Sequence, residues 1–506
     1  MALHEYCWRA GRGWCCLLVF TLLGGSVAGW CNELGTAGSQ PSSTDSRLSG
    51  SGTRPTNFVF FLVDDLGWTD LGCFGSGFYE TPHLDRFANS AMKFTNAYAA
   101  CPVCSPTRAS ILTGQYPQRV GITDYISPTG GNQPANWKRK TKMLPASYSD
   151  RLALKEKTVA EVLKESGYAT FFAGKWHLGP QGFWPEDQGF DVNRGGIERG
   201  GPYGGKRYFS PYGNPRLKDG PVGEHLPDRL ATEAVEFIKQ HKDEPFLTYL
   251  SFYSVHTPLM SREDLKQKYL DKKARIRFGG PIWGEEGSRK IRLVQEHAVY
   301  AAMVEAMDLA VGKVLSALNE FNLTENTVVI FMSDNGGLST SEGHPTSNLP
   351  LRAGKGWMYE GGIREPMMVR APGVTQAGSQ SDDYVTSTDF FPTILELAGL
   401  KQRPDIHRDG MSFVPLLNAE KMDRGPIFWH YPHYGNQGGA PTAAIRNGPW
   451  KLIRWLENGK LELFDLSKDI GEKRNLVAEF PEVASKMDDQ LTQWQAEVAA
   501  KMPTAR

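Results

Sequence analysis

The sequence predicts an α/β protein with a large, mostly parallel mixed sheet between helices, followed by a smaller C-terminal α+β domain with a short antiparallel sheet. Two observations support the larger part: four continuous apolar runs, and helical patterns that lie between them. Continuous runs rich in Val, Ile and Phe are typical of strands that are buried on both faces of a parallel sheet. Strands that alternate with helices indicate an α/β layered domain.

Each of the four apolar runs is followed by charged or polar side chains. The runs cover residues 58–63, 169–173, 246–252 and 328–332. The polar residues that follow them are, in chain order, Asp64 and Asp65, Lys175 and His177, His256, and Asp334 and Asn335. Ligands of α/β sheets bind at the carboxyl ends of the strands. The repeated arrangement therefore predicts one shared site at that edge.

Helical patterns precede three of the strands. Residues 158–166 and 230–240 lead into the second and third runs, and an apolar stripe leads into the fourth. The stripe consists of Met303, Met307, Val311, Leu315 and Leu318. After about residue 400, short strand patterns and a final helix near residues 481–500 indicate a second domain. We therefore expect a larger domain of residues 55–410, which contains the shared site, and a smaller domain of residues 411–506.

The N-terminus has the pattern of a secretory signal. Arg9 and Arg12 precede an apolar run at residues 14–23, and small residues follow it. A membrane anchor is the alternative, but the run is short for a bilayer. We expect a signal peptide of residues 1–28 with cleavage near Ala28, then a flexible linker rich in Ser and Gly at residues 29–54. The protein would then be exported: secreted or periplasmic, or lysosomal or extracellular in a eukaryote.

Composition and cysteine number exclude several classes of protein. The chain has 56 basic residues (Lys and Arg) and 56 acidic residues (Asp and Glu), so its net charge is zero. This balance does not favour binding to nucleic acid or to an anionic membrane. No segment after the signal predicts a membrane span. Four cysteines lie beyond residue 28, too few for a disulfide scaffold. Asn322 lies in a glycosylation sequon, which matters only in a eukaryotic secretory pathway.

The stretch ACPVCSPTRASILTG, residues 100–114, has several interpretations. Cys101 and Cys104 could form a redox pair, half of a zinc site, a structural disulfide or plain buried thiols. The stretch also has the pattern of a helix that begins at Cys104, with Pro106 in its first turn and Gly114 at its end. Cys104 would then lie at a helix N-terminus, which favours anions, with Arg108 on the same face. That arrangement suits a nucleophile for an anionic substrate.

The segment Cys104-Ser105-Pro106-Thr107-Arg108 resembles the Cys-x-Pro-x-Arg signature of the type I sulfatases. GYATFFAGKWHLG at 167–179, GKGWMYEGGIREP at 354–366 and the C-terminal WKLI…ELFDL…GEKRNL resemble further family motifs, so the likeness covers roughly residues 55–480. The resemblance implies an alkaline-phosphatase-like fold. It also implies oxidation of Cys104 to formylglycine by a formylglycine-generating or anaerobic maturation enzyme, with Cys101 as a bystander.

The oxygen donors at two strand ends predict a metal site. Asp64, Asp65, Asp334 and Asn335 offer hard ligands, which suit calcium or magnesium and not zinc or copper. Each pair taken alone is equally typical of an ordinary turn. The family resemblance implies one Ca²⁺ per chain, with residue 104 as a further ligand.

Four further residues are candidates for catalysis. Lys175 and His177 share a face in an extended stretch, while His256 and Lys355 would otherwise be ordinary loop residues. Positive charge on the metal, Arg108, Lys175 and Lys355 would neutralise a sulfate ester. The resemblance implies that hydrated formylglycine is the nucleophile, that His256, helped by Lys355, protonates the leaving alcohol, and that His177 acts as a base.

The function implied by the resemblance is hydrolysis of sulfate monoesters, with secreted carbohydrate sulfatases as the most similar group. Loops at 195–220 and 429–441 combine aromatic and polar residues, so His430 and His433 are candidates for contact with a sulfated sugar. Two alternatives stay open: a phosphodiesterase or phosphonate hydrolase of the same superfamily, and a non-catalytic protein that binds sulfated glycans.

Overall fold

The computed structural model describes residues 56–506, which belong to one compact unit. The predicted signal peptide and linker lie outside the described residues. The strands are β1 (Asn57–Val63), β2 (Met92–Tyr98), β3 (Met143–Leu144), β4 (Ala169–Gly174), β5 (Val192–Arg194), β6 (Phe246–Ser251), β7 (Trp283–Glu286), β8 (Arg289–Arg292), β9 (Thr327–Ser333), β10 (Arg364–Arg370), β11 (Gln380–Ser381), β12 (Val385–Thr386), β13 (Ile427–Tyr431), β14 (Thr442–Asn447), β15 (Trp450–Trp455), β16 (Leu461–Asp465) and β17 (Thr504–Ala505).

The α-helices vary from single turns to more than twenty residues. They are α1 (Pro82–Ala88), α2 (Cys104–Thr113), α3 (Pro117–Val120), α4 (Val159–Glu165), α5 (Leu226–Gln240), α6 (Glu263–Arg275), α7 (Ala298–Glu320), α8 (Glu360–Ile363), α9 (Phe390–Leu397), α10 (Val414–Leu417) and α11 (Pro481–Glu497). Within residues 56–506, none of them combines the length and the apolar character that crossing a bilayer requires.

The large sheet is mixed and mostly parallel, which confirms the predicted fold class. Its strand order is β11-β2-β10-β9-β1-β6-β4-β5, and β12 also pairs with β2. The strands from β9 to β5 run parallel, whereas β10 is antiparallel to both of its neighbours. The four predicted runs form β1, β4, β6 and β9, which are adjacent in this order of strands.

The register aligns the carboxyl ends of those four strands. Val63 pairs with Ser333 of β9, and Ser251 of β6 pairs with both Leu62 of β1 and Gly174 of β4. The residues that follow each strand therefore emerge at one edge of the sheet, as the sequence predicts.

Both faces of the sheet are covered by helices. Along β1, residues 59, 61 and 63 pack in the core on the side of α5 and α7, and residues 58, 60 and 62 pack in the core on the side of α2, α4 and α9. This burial on both faces explains why the strand sequences are continuously apolar instead of alternating.

A second, antiparallel sheet lies in the C-terminal part, with the order β13-β14-β15-β16. One of its faces packs against α11, and the other packs against apolar residues of the segment 353–363. The antiparallel sheet and the final helix confirm the predicted architecture, while the exact division at residue 410 stays a prediction.

Candidate active site

The helix α2 begins at Cys104, as the sequence predicts. Gly114 follows its last residue with φ of 65°, a left-handed conformation that favours glycine. The whole helix is buried, and its first residue lies at the carboxyl edge of the large sheet. Cys101 is buried nearby, and the cysteines of the described residues are free thiols without a disulfide. The structure therefore does not support a Cys101–Cys104 disulfide.

The four predicted oxygen ligands converge beneath this helix end. Asp65 has φ of 62°, which turns the chain sharply after β1. Its amide N–H donates to Asp334 Oδ1 over 3.2 Å, and the Asn335 side-chain amide donates to Asp65 Oδ1 over 2.7 Å. Asp64, Asp65 and His256 also offer ligand atoms that lie within 4.8 Å of one another.

The donor set fits a hard cation. Asp64 Oδ1 and Asn335 Oδ1 are buried and lack a hydrogen-bond partner, which is costly unless something positive compensates. Burial raises the pKa of Asp64 well above its usual value, against the influence of Lys175. Burial also acts to raise the pKa of Asp65, but Lys355, His256 and Lys175 outweigh it and lower that pKa to about 2.

Three buried cations pair with these carboxylates. Lys175 Nζ lies 2.6 Å from Asp64 Oδ2, Lys355 Nζ lies 2.8 Å from Asp65 Oδ2, and Arg108 Nε lies 2.8 Å from Asp334 Oδ2. Burial acts to lower the pKa of both lysines, yet the carboxylates win and raise it, most strongly for Lys355. All three side chains therefore carry positive charge at neutral pH.

Arg108 is held in place by its own hydrogen bonds. Its Nη1 donates to Ser251 Oγ over 2.6 Å and to the carbonyl of Lys175 over 2.9 Å. The guanidinium thus fixes Asp334 and the carboxyl ends of two neighbouring strands, a role that the sequence did not distinguish from direct contact with an anion.

His177 faces Cys104 with a known tautomer. Its Nε2 lies 2.8 Å from the carbonyl oxygen of Ile126, which only accepts, so Nε2 carries the proton. Nδ1 is then unprotonated and lies 3.4 Å from Cys104 Sγ. Burial, followed by the charge of Lys175, holds the pKa of His177 well below its usual value. Gly200 allows the close approach, because a Cβ there would lie 2.6 Å from the His177 ring.

Ser105 is a positioning residue that sequence reasoning missed. Its hydroxyl donates to the carbonyl of His177 over 3.0 Å and accepts from the amide of Ile126 over 3.1 Å. It therefore joins the helix start to the backbone of His177 and to the backbone of Ile126, whose carbonyl binds the His177 ring. The only signal in the sequence was the position of Ser105 directly after Cys104, inside the Cys-x-Pro-x-Arg segment.

His256 has the opposite tautomer. Its Nδ1 donates to the carbonyl of Thr257 over 2.7 Å, which leaves Nε2 facing Asp65 Oδ2 at 3.8 Å. Burial, followed by the charge of Lys355, lowers the pKa of His256 to about 4. The ring is therefore neutral at pH 7 in the absence of a bound anion.

A cavity of about 200 Å³ opens above these groups. Its wall includes Cys104, His177, His256 and Lys355 from the predicted set. The lining residues that sequence reasoning did not single out include Tyr125, Tyr203, Glu342, Asn436 and Gln437. Tyr203, Asn436 and Gln437 lie in the two aromatic loops that were considered for substrate contact. Tyr125 and Glu342 belong to no sequence motif that predicts a site.

The prediction that His430 and His433 contact substrate requires correction. His430 is 3 % exposed, and its ring bonds to Gln495 of α11 and to the carbonyl of Lys501. His433 is 1 % exposed, and its Nε2 lies 2.9 Å from Thr123 Oγ1. Packing of β13 and the turn after it directs both rings into the interior, and neither belongs to the lining of the cavity.

Comparisons with known proteins agree with this geometry. The family model described as Sulfatase matches residues 56–400, and the model described as N-sulphoglucosamine sulphohydrolase, C-terminal, matches residues 353–497. A sulfatase of Formosa agariphila is 32 % identical over 90 % of this chain and 91 % of its own length. The N-acetylgalactosamine-6-sulfatase of Canis lupus familiaris is 31 % identical over 92 % of this chain and 80 % of its own length.

A solved structure extends the likeness to three dimensions. The structure of Ps i-CgsB in complex with k-i-k-neocarrahexaose has a TM-score of 0.71 and 29 % identity, and the match covers 87 % of this chain and 93 % of that one. The family model, the relatives and the solved structure all match the part of the chain that contains the site residues. The chain therefore belongs to the sulfatase family, whose members hydrolyse sulfate esters.

Proposed function

We propose that this protein hydrolyses sulfate monoesters of carbohydrates, with a formylglycine derived from Cys104 and a bound Ca²⁺. The observation that carries the proposal is the convergence at one sheet edge of Cys104, the unprotonated Nδ1 of His177, and carboxylates paired with cations. A sugar substrate is supported by the relatives, one of which is named for N-acetylgalactosamine 6-sulfate and another of which is solved with a carrageenan-type oligosaccharide.

The cation would be held by Asp64, Asp65, Asp334 and Asn335, with residue 104 nearby. Hard oxygen ligands and unpartnered buried oxygens favour calcium over softer metals. When bound, the cation supplies positive charge to the sulfate oxygens, and the hydrated formylglycine supplies an oxygen nucleophile. Arg108 and Lys175 hold the ligand carboxylates in place, since their charged groups contact Asp334 and Asp64.

Two histidines divide the proton transfers. Nδ1 of His177 accepts a proton from the side chain of residue 104, and the fixed Nε2–H bond to the Ile126 carbonyl keeps Nδ1 available as the acceptor. Once a bound sulfate ester favours the protonated ring, Nε2 of His256 delivers a proton to the departing sugar oxygen, because its Nδ1 is already bound to the Thr257 carbonyl. Lys355 lines the cavity beside His256 and contributes charge to the bound sulfate.

Export and maturation complete the proposal. A signal peptide at residues 1–28 would deliver the protein to an exported compartment, and a maturation enzyme would convert Cys104 before or during that passage. Export and conversion of Cys104 are both consistent with membership of the sulfatase family, and both precede the catalytic cycle.

The decisive experiment is detection of the aldehyde at residue 104. In a host with a formylglycine-generating system, the tryptic peptide that contains residue 104 should show the mass of formylglycine, and a hydrazide probe should label it. Cys101→Ala is the matched control and should keep the label, whereas Cys104→Ala should lose it. Equal labelling of wild type and Cys104→Ala would refute the assignment.

Kinetics on matched esters separates the alternatives. An aldehyde-bearing protein that cleaves an aryl phosphate diester faster than the corresponding aryl sulfate would be a phosphodiesterase instead. A protein that carries an unmodified cysteine and binds sulfated oligosaccharides without turnover would be a binding protein.

A further inference from the structure

The wall of the cavity contains an acidic residue, Glu342, although its floor is built to hold an anion. A carboxylate beside a sulfate site opposes substrate binding through like-charge repulsion. We therefore expect Glu342 to have a role that offsets this repulsion. The cavity is small enough that a single bound sugar sulfate would contact both this wall and Lys355.

The Glu342 carboxylate is held in a fixed orientation by three donors. Asn436 Nδ2 and Gln437 Nε2 donate to Oε1 over 3.0 and 2.8 Å, and Thr257 Oγ1 lies 3.4 Å from Oε2. A carboxylate has about four lone-pair sites, so acceptor capacity remains on Oε2 for a ligand. Thr257 also follows His256 directly, which ties the carboxylate to the proposed acid.

The backbone at Glu342 adopts a strained, left-handed conformation. Glu342 and His344 have φ of 52° and 48°, and Gly343 between them has φ of 91°. Left-handed conformations at non-glycine residues are uncommon and concentrate at functional sites. Gln437, which anchors the carboxylate, is in turn packed against Gly356, the neighbour of Lys355.

Tyr203 forms another part of the same wall. Its side chain is 51 % exposed, and its ring centroid lies 6.4 Å from that of His256 at an angle of 75°. An exposed aromatic face beside fixed polar groups suits the apolar face of a sugar ring. The wall thus offers one aromatic surface and one hydrogen-bond acceptor.

We propose that Glu342 determines specificity by accepting a hydrogen bond from a free hydroxyl next to the scissile sulfate, and by excluding substrates that carry a second sulfate at that position. The inference rests on the proposed function, because it concerns the sugar bound in the same cavity. A purely structural Glu342, which only ties the turn at 340–344 to residues 436 and 437, would affect stability without affecting this choice.

The test compares two hexose sulfates that differ only at the position next to the cleaved ester, which is either a free hydroxyl or a second sulfate. The readout is the ratio of kcat/KM for the two substrates. We expect the wild-type protein to prefer the free hydroxyl, and Glu342→Gln to reduce that ratio by about tenfold, since it removes a charge but keeps the shape. Glu420→Gln, at an exposed glutamate outside the cavity wall, is the matched control and should leave the ratio unchanged.

A second measurement needs no variant. If repulsion by Glu342 sets the preference, raising NaCl from about 0.02 M to about 0.5 M should lower the wild-type ratio several-fold, because the shorter Debye length screens it. The inference is overturned if the ratio for Glu342→Gln stays within twofold of the wild-type ratio. If that variant fails to fold, a wild-type ratio that does not respond to salt overturns the inference. Hydrolysis of sulfate esters with an unaltered ratio would refute only this inference, whereas an aldehyde-bearing protein that cleaves no sulfate ester would refute the proposed function with it.

Discussion

Replacing His256 by alanine should damage hydrolysis of sugar sulfates far more than hydrolysis of activated aryl sulfates. A sugar alkoxide is a strong base and must be protonated as it leaves, whereas a nitrophenolate leaves readily without a proton. General acid catalysis contributes about 10²- to 10⁴-fold. We therefore expect kcat/KM for a sugar sulfate to fall within that range in His256→Ala, and kcat/KM for 4-nitrophenyl sulfate to fall by less than about tenfold.

The structure also predicts how this role depends on pH. Burial and Lys355 lower the pKa of His256 to about 4, so the free protein holds a neutral imidazole at pH 7. A single negative charge about 4 Å away, at an effective dielectric constant of about 20, favours the protonated imidazole by about 4 kcal/mol. A bound sulfate ester should therefore raise the pKa of His256 and favour protonation of Nε2 from solvent.

Activity on the sugar sulfate should fall as pH rises, because the protonated form of His256 is the active one. For the sugar sulfate, kcat/KM reports the free protein and should decline as pH rises above about 4, whereas kcat reports the bound complex and should decline only at a higher pH. The difference between the two profiles should disappear in His256→Ala. Steady-state kinetics on both esters from pH 4 to 9 measures it.

Lys355→Ala is the matched comparison for this prediction. It removes a charge that faces the cavity, so it should lower kcat/KM for both esters together. Equal losses for the two esters in His256→Ala would contradict the acid role and would indicate that His256 binds sulfate or shapes the cavity.

Three further predictions concern the metal, the positioning of His177 and a buried ion cluster. Chelation should abolish activity, Ca²⁺ should restore it better than Zn²⁺, and Asn335→Ala should lower the metal content by elemental analysis; full activity in metal-free protein would rule the site out. Ser105→Ala should lower the free energy of unfolding in urea by about 2 kcal/mol or more, since it unpairs two buried backbone groups, and should reduce kcat. Lys451→Met should destabilise the fold by about 3–5 kcal/mol because it removes the buried cation that Glu360 and Glu472 share, while Lys460→Met, where the lysine is exposed, should change stability by less than about 1 kcal/mol; similar losses would contradict the argument.

Much of the central site is predictable because local sequence encodes where strands end. A run such as residues 58–63 ends with strand β1, and the buried carboxylates of Asp64 and Asp65 follow at once. The start of α2 is equally local, since Pro106 and Gly114 mark its ends and place Cys104 first. Parallel strands then bring these short signals to one edge without any further information.

The cavity wall was less predictable because it is assembled from loops without periodicity. Glu342 meets Asn436 and Gln437 across more than ninety residues of sequence, and only the packed fold creates that contact. The same reason explains the error at His430: an aromatic, polar segment was interpreted as a surface loop, whereas β13 and α11 enclose the ring.

The sequence by itself determined the α/β fold class, and it predicted the proposed nucleophile position at Cys104 and the candidate ligands, since these depend on residue type and on spacing along the chain. Only the tertiary structure decided that Arg108 holds Asp334, that Nδ1 of His177 is the open atom, and that Glu342 enters the wall. Those features depend on strand register and on the direction of individual side chains. Hydrogen bonds between distant segments fix both, and no local pattern encodes them.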